Sequence, residues 1–184
     1  MKAFMIPRTG RKRALIVVDM QKDFLKTVHE PVVQATAALI EQAPYDAYIE
    51  CVFHADKGSL WQRETDWTFK LEPTVPDLKR LLDARHAIRT VKTTKSAFGG
   101  EKDIKAIFRE KGIEEIHVVG VDVNDCVLTT ANDAFDAGFF TYVIEECCGS
   151  SESEALRRDA IAILRNVDLT NHSSLIKEKE EITL

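Results

Sequence analysis

The chain has 184 residues, of which 45% are hydrophobic and 30% are charged, and this balance excludes a wholly disordered polypeptide. Its formal net charge of -5 gives no global basic field for nucleic acid, and no apolar run approaches the roughly 20 residues needed to cross a bilayer. We therefore expect one domain over residues 1–184, with neither a nucleic-acid nor a membrane partner.

Short apolar runs alternate with amphipathic stretches along the chain, which predicts strands separated by helices. Strands are predicted at residues 13–18, 47–53, 87–91, 115–120, 139–145 and 167–170. Helices are predicted at residues 31–42, 77–82, 102–111, 127–137 and 151–165. Gly112 ends the third helix and Ser151 or Ser153 caps the last one. Residues 58–76 are predicted to be irregular, and the charged tail after Ile176 to be frayed or a short helix.

This alternation indicates βαβ units and hence an α/β fold. The strands are nearly continuous apolar runs, as expected where both faces of a sheet are covered. We predict a three-layer α/β/α sandwich, Rossmann-like, around a mainly parallel six-stranded sheet. Ligands of such sheets bind beyond the carboxyl ends of the strands.

Three residues of complementary chemistry follow predicted strands at that edge. Asp19 follows the first strand, Lys92 the third, and Cys126 the fourth, at or near a helix N-terminus. The helix dipole and a nearby ammonium are expected to lower the pKa of the thiol, and Asp19 could accept its proton. Taken singly, each has an ordinary structural role as cap, solvated charge or small packed side chain, so the spacing suggests a triad without establishing it.

The four cysteines, Cys51, Cys126, Cys147 and Cys148, form no CxxC pair and no zinc-type spacing. The N-terminal segment has no long apolar region of the kind a signal peptide requires. We therefore expect reduced thiols and a cytoplasmic protein. Cys147 and Cys148 are expected to pack near the end of the fifth strand.

Three segments in order resemble the isochorismatase-like hydrolases, which include the nicotinamidases. Residues 14–24, ALIVVDMQKDF, resemble the opening "apolar strand, D-x-Q-x-D-F" of that family. Residues 91–98, VKTTKSAF, resemble its "K-x-x-x-S-A-F" segment, and residues 118–127, VVGVDVNDCV, its "G-x-x-x-x-x-C-V" nucleophile segment. The helix at residues 129–138 and the run at 146–151 extend the match.

The resemblance implies a catalytic triad of Cys126 as nucleophile, Asp19 and Lys92. Lys92 matches because it lies four residues before Ser96, so Lys95 is the poorer candidate. The resemblance also implies a cis peptide bond at Val121–Asp122 and an oxyanion hole made by the amides of Asp122 and Cys126.

The implied activity is hydrolysis of a C–N bond in a small amide or ureido compound through a thioester, without a cofactor. Three alternatives stay open: hydrolysis of an isochorismate-type ether, a non-catalytic binding module on the same fold, and a redox thiol protein that uses Cys126. Ammonia release separates the first alternative from C–N hydrolysis. Relatives commonly form dimers or tetramers, so a homodimer or homotetramer is expected.

Nicotinamidases of the family carry a metal site, D-x-H followed by a second His, just after the second strand. Here the corresponding segment contains only His54 and Asp56, in the wrong order for that motif. We therefore expect a polar strand end and turn rather than a metal site, and no nicotinamidase activity.

Aromatic residues beside these motifs are candidates for the substrate pocket. Phe24 and Phe98 flank the triad segments, while Trp61, Trp67 and Phe69 lie in the irregular region, where they form either a pocket wall or an interface. Asn124 and Asp125 are expected to cap the helix that carries Cys126.

Overall fold

A computed structural model describes residues 9–26, 30–55, 57–65, 68–167 and 169–170. Its sheet has five strands, all parallel, in the order β3-β2-β1-β4-β5. The strands are β1 Arg13–Val18, β2 Ala47–Phe53, β3 Ile88–Lys92, β4 Glu115–Gly120 and β5 Phe140–Cys148. The α-helices are α1 Glu30–Gln42, α2 Leu60–Thr65, α3 Pro76–Ala84, α4 Ile104–Lys111, α5 Leu128–Asp136 and α6 Glu154–Asn166.

Both faces of the sheet are covered, as the continuous apolar strands predict. Along β1, Ile16 and Val18 belong to one buried cluster, with apolar residues of α4, α5 and α6. Leu15 and Val17 of the same strand belong to a second cluster, with residues of α1 and α3. Because successive side chains of a strand point to opposite faces, this division confirms a three-layer α/β/α arrangement.

The prediction of a sixth strand at residues 167–170 is wrong. Within the described residues, Thr170 makes a single parallel bridge to Val143, whose amide donates to the Leu169 carbonyl at 2.8 Å. Helix α6 continues to Asn166, one residue further than predicted. Asp168 and the tail after Ile176 lie outside the described residues.

Several local signals are confirmed. Gly112 ends α4 in the left-handed conformation, and the Ser153 hydroxyl accepts the Leu156 amide to cap α6. Cys147 and Cys148 are buried at the end of β5, and all four cysteines are free thiols. None of the helices in the described part of the chain is long and apolar enough to cross a membrane.

Gly120 is the one position where β4 approaches β1 too closely for a side chain. Its φ is +126°, and a Cβ there would lie 2.0 Å from the Val18 carbonyl oxygen. That carbonyl accepts the Val121 amide at 3.1 Å, so it is not free to move. Gly120 therefore fixes the geometry at which the chain leaves β4 towards Cys126.

We expect Gly120→Ala to lower the free energy of unfolding by about 3 kcal/mol or more, because it combines backbone strain with overlap of backbone atoms. Gly138→Ala is the matched control: φ is +90° there, but no atom lies within 4 Å of the added Cβ. It should cost about 1 kcal/mol, from strain alone. Denaturant unfolding measures both, and equal losses would contradict the argument.

Candidate active site

The carboxyl ends of β1, β3 and β4 bring together the three residues that the sequence singles out. The Lys92 ammonium lies 2.7 Å from Asp19 Oδ2 and 3.5 Å from Cys126 Sγ. Asp19 and Lys92 are buried, with 0% and 1% exposure, while Cys126 keeps 8%. The structure thus joins all three side chains in one cluster in which the sulfur is the most accessible group.

Asp19 begins the turn that follows β1. Its amide donates to the Cys51 carbonyl at 2.9 Å, and its carbonyl accepts the Gln21 amide at 2.7 Å. Its φ of +50° lies in the left-handed region, which aspartate tolerates better than most residues. The Gln21 side chain accepts the Phe53 amide at 2.7 Å and donates to the Phe53 carbonyl at 3.0 Å. These bonds join the end of β1 to the end of β2.

Lys92 reaches the cluster from a strand that is not next to β1. Strands β1 and β3 lie on opposite sides of β2, about 10 Å apart. Only a long side chain spans that gap, and its ammonium lies 4.8 Å from the centre of the Phe53 ring. Phe53 is the register partner of Lys92 on β2. The ammonium also donates to the Thr94 carbonyl at 3.0 Å.

Cys126 lies in a π-helical turn, Val123–Val127, that leads directly into α5. The thiol is therefore in the first turn of a longer helix, as the sequence predicts. The expected cis peptide bond at Val121–Asp122 is present. The Asp122 carbonyl accepts the amides of Asp125 and Val127, each at 3.0 Å. Within the described residues, the Asp122 amide itself donates to no acceptor.

Burial and the neighbouring charges set the protonation of Asp19 and Lys92. Burial raises the pKa of Asp19 to about 6, against the opposing effects of the Lys92 ammonium and the Cys126 thiol. Burial by itself lowers the pKa of Lys92, but the Asp19 carboxylate and the two nearby thiols outweigh it and raise that pKa overall. Above pH 6 the pair is a carboxylate with an ammonium.

The expectation of a lowered thiol pKa is wrong. Burial raises the pKa of Cys126, and the Asp19 carboxylate raises it further, while Lys92 opposes both. Lys92 lies closer to Asp19 than to the sulfur, so its charge is already balanced by the carboxylate. At neutral pH the Cys126 side chain is consequently a neutral thiol.

Cys126 opens into a cavity of about 650 Å³. Phe24 and Trp61 line it, as predicted for pocket residues, and so does Phe69. Phe98 is not among the lining residues: it packs on the core with its ring centre 6.5 Å from that of Phe108, because it follows β3 on the face covered by α4. Trp67 lies outside the described residues.

Several residues that line the cavity were not predicted as pocket residues, among them Phe53 and Ser151. Phe53 lines the cavity and is the last residue of β2. Its position at the carboxyl end of a predicted strand could have indicated this from the sequence. The Asp122 carboxylate accepts the Ser151 amide at 2.5 Å and the Ser151 hydroxyl at 2.7 Å. This link ties the segment before Cys126 to the segment after β5, and no local pattern in the sequence indicates it.

The predicted capping roles of Asn124 and Asp125 are not observed. The Asp125 carboxylate forms an ion pair with the Lys95 ammonium at 2.6 Å, and Asn124 Oδ1 is buried and accepts no hydrogen bond from the described residues. The carbonyl of Asp122 takes the amides that a cap would bind. Lys95 therefore contacts a residue of the cavity lining rather than Cys126.

Across the described part of the chain, no three His, Cys, Asp or Glu side chains are grouped so as to hold a metal ion. His54 follows β2 and is partly buried, and Asp56 lies outside the described residues. The expectation that this segment is not a metal site therefore stays a prediction.

The chain is similar over most of its length to a family of hydrolases. Residues 13–173 match the isochorismatase domain model. The isochorismatase family protein PncA of Bacillus subtilis (strain 168) is 28% identical over 169 residues, which cover 78% of this chain and 89% of that protein.

Solved structures show the same fold. A pyrazinamidase/nicotinamidase of Streptococcus mutans UA159 superposes with a TM-score of 0.69 at 25% identity, covering 86% of this chain and 98% of that one. Nicotinamidase PncA of Bacillus subtilis superposes with a TM-score of 0.66 at 25% identity, covering 84% and 95%.

The rate of alkylation of Cys126 distinguishes a neutral thiol of raised pKa from a preformed thiolate. We expect Asp19→Asn to speed alkylation of Cys126 by iodoacetamide at least about tenfold at pH 8, because removing the carboxylate lowers the pKa of the thiol. Lys92→Met should slow it, since the opposing cation is lost. Mass spectrometry of each cysteine measures the rates.

The buried Cys51, Cys147 and Cys148 serve as internal references in the same digest. Thermal unfolding of both variants controls for loss of the fold, because each leaves one buried charge without its partner. Slower alkylation in a folded Asp19→Asn protein would contradict the assignment.

Proposed function

The chain belongs to the isochorismatase family and is a hydrolase of that family, and we propose that it cleaves a C–N bond of a small amide or ureido compound through a thioester on Cys126. The observation that carries the proposal is the position of the Lys92 ammonium, within 2.7 Å of the Asp19 carboxylate and 3.5 Å of the Cys126 sulfur. A general base, a cation and a nucleophile that opens into a cavity are the parts that acyl transfer needs.

The first half of the reaction forms the acyl-enzyme. The Asp19 carboxylate takes the thiol proton of Cys126, and the sulfur attacks the carbonyl carbon of the substrate. Lys92 stabilises the thiolate as it forms, because its ammonium lies 3.5 Å from the sulfur. When the tetrahedral intermediate collapses, the C–N bond breaks and Asp19 returns its proton to the leaving nitrogen, which departs as ammonia or an amine.

The second half restores the enzyme. Asp19 takes a proton from a water molecule, the hydroxide attacks the thioester carbon, and the C–S bond breaks. The acid leaves and the proton returns to Cys126. In both halves the negative oxygen of the intermediate is held by the amides of Asp122 and Cys126. The Asp122 amide is suited to this because no acceptor among the described residues engages it.

Amide hydrolysis is preferred to the ether alternative because two of the similar solved structures are nicotinamidases by name and because the Lys92 ammonium contacts both the Asp19 carboxylate and the Cys126 sulfur. We do not expect nicotinamide itself to be a substrate, because the family's D-x-H segment is altered at His54. We propose a small molecule as the only reacting partner, and a homodimer or homotetramer stays a prediction.

Loss of the thiol should abolish turnover. We expect Cys126→Ala to release ammonia from a panel of small carboxamides and ureido compounds at less than about one thousandth of the wild-type rate, because Cys126 supplies the only thiol among the described residues that line the cavity. A coupled glutamate dehydrogenase assay measures the ammonia. Cys147→Ala, which removes a buried thiol on the opposite face of the sheet, is the matched control and should stay active.

Wild-type turnover that survives in Cys126→Ala would exclude the thioester route. Release of pyruvate from an isochorismate-type ether, with no ammonia from any amide, would favour the alternative reaction.

The pH profile should report Asp19. Only the ionised carboxylate accepts the thiol proton, and its pKa is raised to about 6 by burial. We therefore expect kcat/KM to fall about tenfold per pH unit below pH 6 and to level off above it. Initial rates from pH 4.5 to 8 measure the acidic limb of the kcat/KM profile. A profile that stays flat across that range would contradict Asp19 as the base.

A further inference from the structure

The cavity at Cys126 has a wall of aromatic rings. Phe24 and Phe69 stack with their ring centres 4.3 Å apart. Phe53 meets Trp61 edge to face at 5.9 Å, and meets Phe69 in the same way at 5.9 Å. All four rings line the cavity. Such a wall favours flat groups, and it also favours cations, because the faces of aromatic rings are electron-rich.

The rest of the lining is strongly acidic. Asp23, Asp122, Asp125 and Glu152 all contribute carboxyl groups to it. Among the described lining residues there is no lysine, arginine or histidine. Lys95 pairs with Asp125 at the edge of the cavity and balances one of these charges. Asp122 and Glu152 add two further carboxyl groups to a lining that, within the described residues, contains no cation.

This wall already holds one ammonium group, that of Lys95. Its nitrogen lies 2.6 Å from the Asp125 carboxylate and 5.4 Å from the centre of the Trp61 ring. The side chain of Lys95 is half exposed, so the ammonium is held in spite of competing water. The Asp125 carboxylate and the Trp61 ring thus contact an ammonium group together at the edge of the cavity.

We propose that the substrate of this site is a carboxamide or ureido compound that carries a cationic group, an ammonium or a pyridinium. The proposal rests on the proposed function for the reaction at Cys126 and adds the charge of the substrate. The carbonyl lies at the sulfur, and the cation lies between the aromatic wall and the carboxylates. An anionic substrate, such as the dicarboxylate isochorismate, would meet these carboxyl groups with no cation in the described lining to pair with it.

Three probes of the same shape and different charge test the proposal. They are 3-carbamoyl-1-methylpyridinium, 3-methylbenzamide and 3-carbamoylbenzoate, which are cationic, neutral and anionic. Calorimetric titration into Cys126→Ala measures binding without turnover. We expect the cation to bind at least about tenfold more tightly than the neutral amide, and the anion to bind most weakly. The preference should shrink between 0.05 and 0.5 M NaCl, because salt screens the carboxylates.

A pair of charge-removing variants controls for the effect of net charge. In the same Cys126→Ala background, Glu152→Gln removes a lining carboxylate and should reduce the cation-to-neutral ratio about twofold or more. Glu114→Gln removes an exposed carboxylate just before β4, at the opposite end of the sheet, and should leave the ratio unchanged. Equal binding of the cation and the neutral amide, or tighter binding of the anion, would overturn the proposal.

Ammonia release by the wild-type enzyme separates this proposal from the function on which it rests. Hydrolysis of neutral amides with no preference for cationic ones overturns the substrate class and leaves the proposed function intact. Preferential binding of the cation with no hydrolysis of any amide overturns the proposed function and leaves a cation-binding cavity.

Discussion

The arrangement of this protein depends on one buried ion pair, between Lys92 and Asp19. Both side chains are withdrawn from water, so each charge is tolerated only because the other lies 2.7 Å away. The pair joins the ends of β1 and β3 across β2, and the Phe53 ring beneath the ammonium completes its surroundings. The same contact holds Asp19 ionised at neutral pH although burial raises its pKa.

The pair also explains how a neutral thiol serves as the proposed nucleophile. A thiolate formed in advance would add a second negative charge next to Asp19, and burial makes that charge expensive. Transfer of the proton from Cys126 to Asp19 moves the negative charge without adding to it, and Lys92 contacts both sites. Of the three side chains, only that of Cys126 lines the cavity. A substrate would therefore meet the sulfur while the charges of Asp19 and Lys92 stay buried.

The cavity at the Cys126 sulfur is formed by segments that lie far apart in the sequence. Phe24 follows β1, Phe53 ends β2, Trp61 lies on α2, and Ser151 follows β5. These segments meet because the carboxyl ends of parallel strands lie along one edge. Asp19 and Lys92 lie at strand ends and Cys126 in the helical turn after β4, whereas most of the cavity wall comes from loops and the short helix α2. The proposed reaction and the proposed choice of substrate therefore depend on different parts of the chain.

The sequence by itself determined the α/β class, four of the six predicted strands to within a residue or so, and the convergence of Asp19, Lys92 and Cys126. Apolar periodicity and the order of strands are local properties, and parallel connections bring strand ends to one edge whatever the loops do. Only the tertiary structure decided that the described part of residues 167–170 makes a single bridge, that Phe98 packs on the core, and that Cys126 is a neutral thiol. Register, burial and the balance of nearby charges depend on residues distant in sequence, and no local pattern encodes them.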